Sequence, residues 1–233
     1  MATEAARIAS NDCLLPLYRM DVGTYERLVE AGAMEGLDVE LREGLLVDRG
    51  RNGHDPIHRL DIETYDRMVE TGALEGEPVE LLDGLLVEMS PQGDSHIAAI
   101  VLLTRHFRMA QAWLMVQLPL DARPRSKPEP DLALVREGSR PDWRSPGGAL
   151  LTVEIAVISH RKDRGKKLQI YAQAGVPAYW LVDVPARTVE VRSDPGPKGY
   201  GSCELYGIGT QVPSPAEGVP DLDVAWLFEG LGA

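Results

Sequence analysis

Residues 150–183, LLTVEIAVISHRKDRGKKLQIYAQAGVPAYWLVD, constrain the fold more than any other stretch of the chain. Residues 150–158 are a continuous, mostly apolar run rich in β-branched side chains, the pattern of a strand buried on both faces. Ser159 then opens a polar, basic segment. Its apolar positions Leu168, Tyr171, Ala172 and Gly175 recur at helical spacing, and Gly175 and Pro177 supply a stop, which predicts a helix over 161–174. Residues 178–184 (AYWLVDV) predict a second strand. Strand, helix and strand joined by short links form a βαβ-type unit, so the sheet must be mixed or partly parallel.

One charge, Glu154, interrupts the first run. A carboxylate in a strand with no wet face is costly unless a metal, a cation or hydrogen-bond donors hold it. Lys167 lies four residues after Asp163 and four before Tyr171, so the three share a helix face. On that spacing alone, Asp163 and Lys167 read as an exposed ion pair.

Upstream, the chain repeats itself. Residues 18–49 (YRMDVGTYERLVEAGAMEGLDVELREGLLVDR) recur as residues 58–89 (HRLDIETYDRMVETGALEGEPVELLDGLLVEM) at a constant offset of 40 residues, more than half of the positions being identical. Each copy reads as a helix capped near Asp21 or Asp61, a Gly-containing turn and a hairpin VEL-x-x-G-LLV. Two copies do not make a solenoid. The second continues into a loop with His96 and an apolar helix at 95–110; the first runs into the polar linker RGRNGHDPI. The expected division is therefore a loose tail at 1–17, an extra helix–hairpin copy with its linker at 18–57, and a complete domain at 58–233.

Further strands are expected at 113–120, 131–135 and 187–192, with a weaker one at 203–212 and a closing amphipathic turn or short helix at 219–228. Residues 121–130 (DARPRSKPEP) form a Pro-rich basic loop, and 136–148 and 194–201 are turn-rich. The fold class is α/β: a mixed sheet flanked by helices, with the duplicated N-terminal element. At 233 residues there is ample material for a core. Two cysteines, Cys13 and Cys203, are too few for a disulfide framework or a zinc site, and no run approaches membrane-spanning length. The expectation is a cytoplasmic protein without membrane contact. The net charge of −12 disfavours sequence-independent binding to a polyanion, leaving the 123–127 loop and the 161–167 segment as the clearly basic patches.

Three carboxylates stand in or next to apolar strands: Glu80 in VELLDG, Asp131 in PEPDLALV and Glu154 in LTVEIAV. Carboxylate oxygens are the ligands Mg²⁺ prefers, and a pair of them with a strand carbonyl (Ile155) and waters completes an octahedral site. A neighbouring lysine can orient an attacking water or offset charge on a phosphate. Glu80 reads equally as a solvent-facing residue of an edge hairpin, since Glu40 holds the same place in the first copy. His96 reads as a helix-start residue that caps or packs. Tyr171, Tyr179 and Trp180 read as core aromatics.

Pro130-Asp131 followed by Glu154 in a strand resembles the PD…(D/E)-x-K pattern of restriction-endonuclease-like proteins. The ordered set VELLDGLLVEMSPQGDSH, PDLALV, VEIAVIS, DRGKKLQIYAQAGVPAYWLVD and VPDLDVAWLF, across residues 59–228, is similar to the Uma-two family of endonucleases. That resemblance implies a restriction-endonuclease-like core and a Mg²⁺-dependent phosphodiesterase site, with Mn²⁺ as a substitute ion. Asp131, Glu154 and Lys167 would be its catalytic residues, and Glu80, Asp131 and Glu154 its metal ligands; the family pattern also places a histidine at the position of His96. The sequence departs from the superfamily at Ala156, where the motif lysine is expected; the resemblance implies that a lysine on the following helix substitutes, and Lys167 is the matching position, with Lys166 as the neighbouring alternative. Ser159-His160-Arg161-Lys162 replaces the usual Ser-Pro-Ser-Thr, and Ala178 a usual Glu. The implied partner is nucleic acid, DNA before RNA, with a homodimer allowed. The competing reading is a nuclease-like scaffold that binds protein or nucleotide without catalysis: acidity favours the scaffold, the Asp–Glu–Lys set the nuclease.

Overall fold

The computed structural model describes residues 15–49, 56–137, 148–157 and 161–232, with side chains along the last stretch from residue 165 onward. Most of the 1–17 tail, residues 50–55 of the linker, most of the 136–148 loop, Ser159-His160 and the side chain of Asp163, with its proposed pairing to Lys167, lie outside the described residues. The chain divides into two compact units. One is Met1–Ser90 with Arg123–Lys127; the other is Pro91–Ala122 with Pro128–Ala233.

The first unit holds helix α1 (Val22–Glu30), hairpin β1 (Val39–Arg42) and β2 (Leu45–Asp48), helix α2 (Ile62–Glu70), and hairpin β3 (Val79–Leu82) and β4 (Leu85–Glu88). Aspartates start both helices. Asp21 accepts from the Thr24 amide at 2.9 Å and Asp61 from the Thr64 amide at 2.8 Å, satisfying donors that a helix start leaves without partners. Both hairpins turn through two positive-φ residues, Glu43-Gly44 and Asp83-Gly84, as a two-residue type I′ turn demands. Gly84 has a further reason to be glycine, because a Cβ there would lie 3.0 Å from the Leu60 carbonyl oxygen. Residues 58–89, grouped by the repeat pattern with the rest of the chain, lie in the same unit as residues 18–49 and share one apolar core with them.

Residues 123–127 are sewn onto the second hairpin. Lys127 donates its N–H to the Leu81 carbonyl at 2.7 Å, and Ser126 Oγ accepts from the Asp83 amide at 2.8 Å. Their charges go to α2, where Arg123 pairs with Glu63 and Lys127 with Asp66. Read from sequence as a basic patch, this loop spends those two cations on local acids.

The second unit contains helix α3 (Asp94–Phe107), β5 (Ala112–Val116), β6 (Leu132–Arg136), β7 (Ala149–Ala156), helix α4 (Arg161–Gln173), β8 (Ala178–Asp183), β9 (Thr188–Gly196), β10 (Gly199–Gly207), β11 (Gln211–Val212), β12 (Leu222–Asp223) and helix α5 (Val224–Gly230). Six strands form one sheet in the order β10-β9-β8-β7-β6-β5. Only β7 and β8 pair in parallel, across the crossover helix α4; the other neighbours are antiparallel. The sheet is mixed, as the sequence predicts.

The alternation of side chains along each strand gives the sheet two apolar faces. On one, Leu132, Leu134, Leu151, Val153, Ile155, Trp180 and Val182 pack with Leu103 and Phe107 of α3 and Phe228 of α5. On the other, Ala133, Val135, Ala156, Tyr179 and Leu181 pack with Tyr171 of α4 and Val176. Trp180 and Phe107 meet at 5.8 Å between ring centroids, both sealed from solvent. Truncating aromatics buried to this degree costs about 3–5 kcal/mol. Strand ends differ from expectation where the backbone turns: β5 stops before Gln117, which adopts φ 51. Among the described residues, no helix is long and apolar enough to cross a membrane.

Candidate active site

Asp131 and Glu154 come together through strand register. In the β6–β7 ladder Leu132 stands opposite Val153, and one further step in the same register sets Asp131 against Glu154. Opposed residues of an antiparallel pair project to the same face, with Cβ atoms about 5 Å apart. That face is the one α4 covers, because Asp131 is two residues before Ala133 and Glu154 two before Ala156.

Each carboxylate has partners of its own. Asp131 Oδ2 accepts the Ile155 N–H at 2.7 Å, and Oδ1 lies 2.8 Å from His96 Nε2 in the first turn of α3. An ionised aspartate can only accept, so toward it His96 presents an Nε2–H. Glu154 Oε1 accepts the Tyr171 hydroxyl at 2.9 Å and lies 3.3 Å from Lys167 Nζ. Lys167 also donates to the Glu129 carbonyl at 2.9 Å, two residues before Asp131. Lys167 and Tyr171 are one turn apart, so a single helix face of α4 presents both groups to the same oxygen.

Burial sets the electrostatics. The side chains of His96 and Asp131 are 17% and 11% exposed, those of Lys167 and Glu154 13% and 16%. Two carboxylates this near each other and this poorly hydrated repel unless positive charge or donors face them. Lys167, His96, Tyr171 and the Ile155 amide do so. The result is a pair of aimed oxygen donors with a lysine ammonium beside them, placed where water still reaches.

Glu80 belongs to the first unit, where it stands on β3 opposite Val87 and is 5% exposed; Glu40 holds the matching place on β1 opposite Val47. Among the described residues, no group of three or more His, Cys, Asp and Glu side chains is gathered as a metal cage. Two further side chains join the site. Tyr171 reads as a core aromatic and is fully buried, yet its hydroxyl reaches Glu154; its i+4 spacing from Lys167 is the signal in the sequence. His96 reads locally as a helix-start residue, and no local periodicity announces its contact with an aspartate 35 positions away.

A family model described as Uma2, putative restriction endonuclease, matches residues 62–226. No curated protein matches the sequence. Among solved structures, the crystal structure of a putative nuclease belonging to DUF820 from Anabaena variabilis is similar, with a TM-score of 0.50 and 19% sequence identity. The match covers 66% of this chain and 90% of that one, and at this identity it speaks for the fold alone.

Proposed function

The chain belongs to the Uma2 family, described as putative restriction endonucleases, and from that premise we propose that it hydrolyses phosphodiester bonds of DNA at the Asp131–Glu154–Lys167 cluster with Mg²⁺ as cofactor. The observation that supports this most is the opposition of Asp131 and Glu154 on one ladder step, with Lys167 on Glu154. The donor set suits the ion: Mg²⁺ usually binds through one or two carboxylates, keeps several waters and takes phosphate oxygens from the substrate, so an all-protein cage is not required. When bound, such an ion polarises a phosphoryl oxygen and makes a coordinated water more acidic.

The chain's own residues do the rest. His96 and the Ile155 amide fix the Asp131 carboxylate, and Tyr171 fixes Glu154, so both donors are aimed before substrate arrives. Lys167, held by the Glu129 carbonyl, orients an attacking water or offsets charge on the phosphate. Glu80 as a further ligand rests on the family resemblance alone. Residues 18–49 are read as a duplicate of 58–89 that supplies no ligand.

The scaffold reading draws on one specific observation, the pairing of Arg123 and Lys127 with Glu63 and Asp66, which leaves less free positive charge for a nucleic-acid backbone. One assay separates the two: supercoiled plasmid, single-stranded DNA and RNA, each with Mg²⁺, Mn²⁺ or EDTA. Nicking or linearisation that EDTA abolishes is expected. No cleavage of any substrate with either metal leaves the scaffold.

A further inference from the structure

Within the first unit, the two helix–hairpin elements trade the segments that lead into them. Residues 16–18 run along β4: Glu88 donates its N–H to the Pro16 carbonyl at 2.8 Å, Tyr18 donates to the Leu86 carbonyl at 2.9 Å, and Leu17 bridges Val87 antiparallel. Residues 56–58 run along β2 in the same way. Asp48 donates to the Pro56 carbonyl at 3.0 Å, His58 donates to the Leu46 carbonyl at 2.8 Å, and Ile57 bridges Val47. Every bond of one set has its counterpart in the other, shifted by one repeat forward in one partner and one repeat back in the other. A contact in which i meets j while the equivalent of j meets the equivalent of i is isologous, the signature of a two-fold dimer.

The apolar packing is shared as well. Met20 and Leu28 of the first element lie in one buried cluster with Leu60, Ile62, Met68 and Leu81 of the second. Neither element buries this surface alone.

We propose that this interface is self-complementary between chains as well as within one, and that its alternative occupant is a second copy of this chain. In the resulting reciprocal dimer, residues 15–48 of each chain pair with residues 56–89 of the other. The first element is then a built-in partner that closes the surface in the monomer. The same backbone bonds and the same core form in both states, so the balance turns on the connection at 49–55 and on concentration. In the monomer Asp48 and Pro56 of one chain are hydrogen-bonded neighbours; in the dimer each meets its counterpart on the other chain. Exchange of identical elements is a low-cost route to dimers, and shortening a hinge invites it. The dimer also carries two second units, the number of sites that cutting both strands of a duplex uses, although the exchange itself does not depend on the nuclease reading.

The test uses the full chain with Cys13→Ser and Cys203→Ser, and with Leu17→Cys and Val87→Cys at the bridged positions, where facing strands bring Cα atoms within disulfide range. A second version lacks residues 49–55, so that Asp48 is joined to Pro56. The intact chain at low concentration is expected to form the 17–87 disulfide within one chain. The shortened chain is expected to double its mass by light scattering and to form that disulfide between two chains. A folded monomer with the intrachain disulfide in the shortened version overturns the proposal. If circular dichroism shows the shortened version unfolded, the intact chain is refolded from denaturant over a hundredfold range of concentration. The interchain fraction should then rise with concentration; an intrachain disulfide at every concentration overturns the proposal equally.

Discussion

Tyr171 gives its hydroxyl hydrogen to Glu154 Oε1 at 2.9 Å, from the helix turn after the one that brings Lys167 within 3.3 Å of the same oxygen. A neutral donor and a cation thus fix one carboxylate, and the neutral one aims it without cancelling its charge. Hydrogen bonds to charged groups are worth about 1.5–3 kcal/mol, and Lys167 retains part of the hold when the hydroxyl goes. Tyr171→Phe keeps the buried ring, so the fold should survive with a loss of about 1–2 kcal/mol. Mn²⁺ affinity should fall about three- to tenfold, as the carboxylate loses its aim. Denaturant melts beside a metal titration check both, and a variant equal to wild type in both would remove Tyr171 from the site.

Charge repulsion considered alone suggests that neutralising Glu154 would stabilise the empty site. The geometry argues the reverse, because Glu154→Gln removes the negative charge 3.3 Å from the Lys167 ammonium, which is only 13% exposed. Breaking one side of a buried ion pair is destabilising, here by about 1–3 kcal/mol given the partial exposure. Adding Lys167→Met should recover much of that loss. A double-mutant cycle measures the coupling, and additive effects would contradict it.

The paired charges of residues 123–127 make a prediction about salt. Lys127 is 7% exposed in its side chain and set on Asp66, so Lys127→Ala should cost about 2–4 kcal/mol of stability. Arg123→Ala, at an exposed pair with Glu63, should cost less than about 1 kcal/mol. Because Glu63 already faces the Arg123 charge, Arg123→Ala should leave the slope of log K for DNA against log salt unchanged. A slope flatter by about one unit would return that arginine to the phosphate-contacting set.

Histidine 106 carries an acid-side signature. Burial holds its ring below the usual histidine range, against the opposing effect of its hydrogen bond with the Pro220 backbone. Above about pH 7 the ring is neutral in both folded and unfolded chains, so it contributes no pH dependence. Below about pH 6.5 the unfolded chain takes up a proton that the native ring refuses, and stability falls until the native ring also protonates. His106→Asn keeps a donor for the Pro220 carbonyl and lacks this titration. The stability difference between wild type and variant should be flat from pH 8 to 7 and then shift against wild type toward pH 5; a constant difference over the whole range would contradict this.

The central unit was legible because local pattern and tertiary role coincide there. The run holding Glu154 is buried on both faces of the sheet, and the helix stop at Gly175 and Pro177 falls where α4 ends. Lys167 and Tyr171 were placed on one face by spacing alone, although the use of the tyrosine hydroxyl was missed. Two other features were hidden for physical reasons. The weaker strand expected at 203–212 coincides with part of β10, but β9 and β10 also run through 194–196 and 199–201, which read as turn; the strand character there comes from their mutual pairing, a tertiary effect. The bond between His96 and Asp131 joins a helix start to a strand edge, and no local periodicity encodes it.

Calorimetric titration of Mn²⁺ into wild type, Asp131→Asn and Glu154→Gln tests the central claim most directly. Wild type should bind the ion, and each substitution should weaken that binding at least tenfold, about 1.4 kcal/mol, because each removes one of the two carboxylates of the proposed metal site. Circular dichroism should show both variants folded. Wild-type affinity retained in both folded variants would contradict the account and leave the carboxylate pair a structural feature of the sheet.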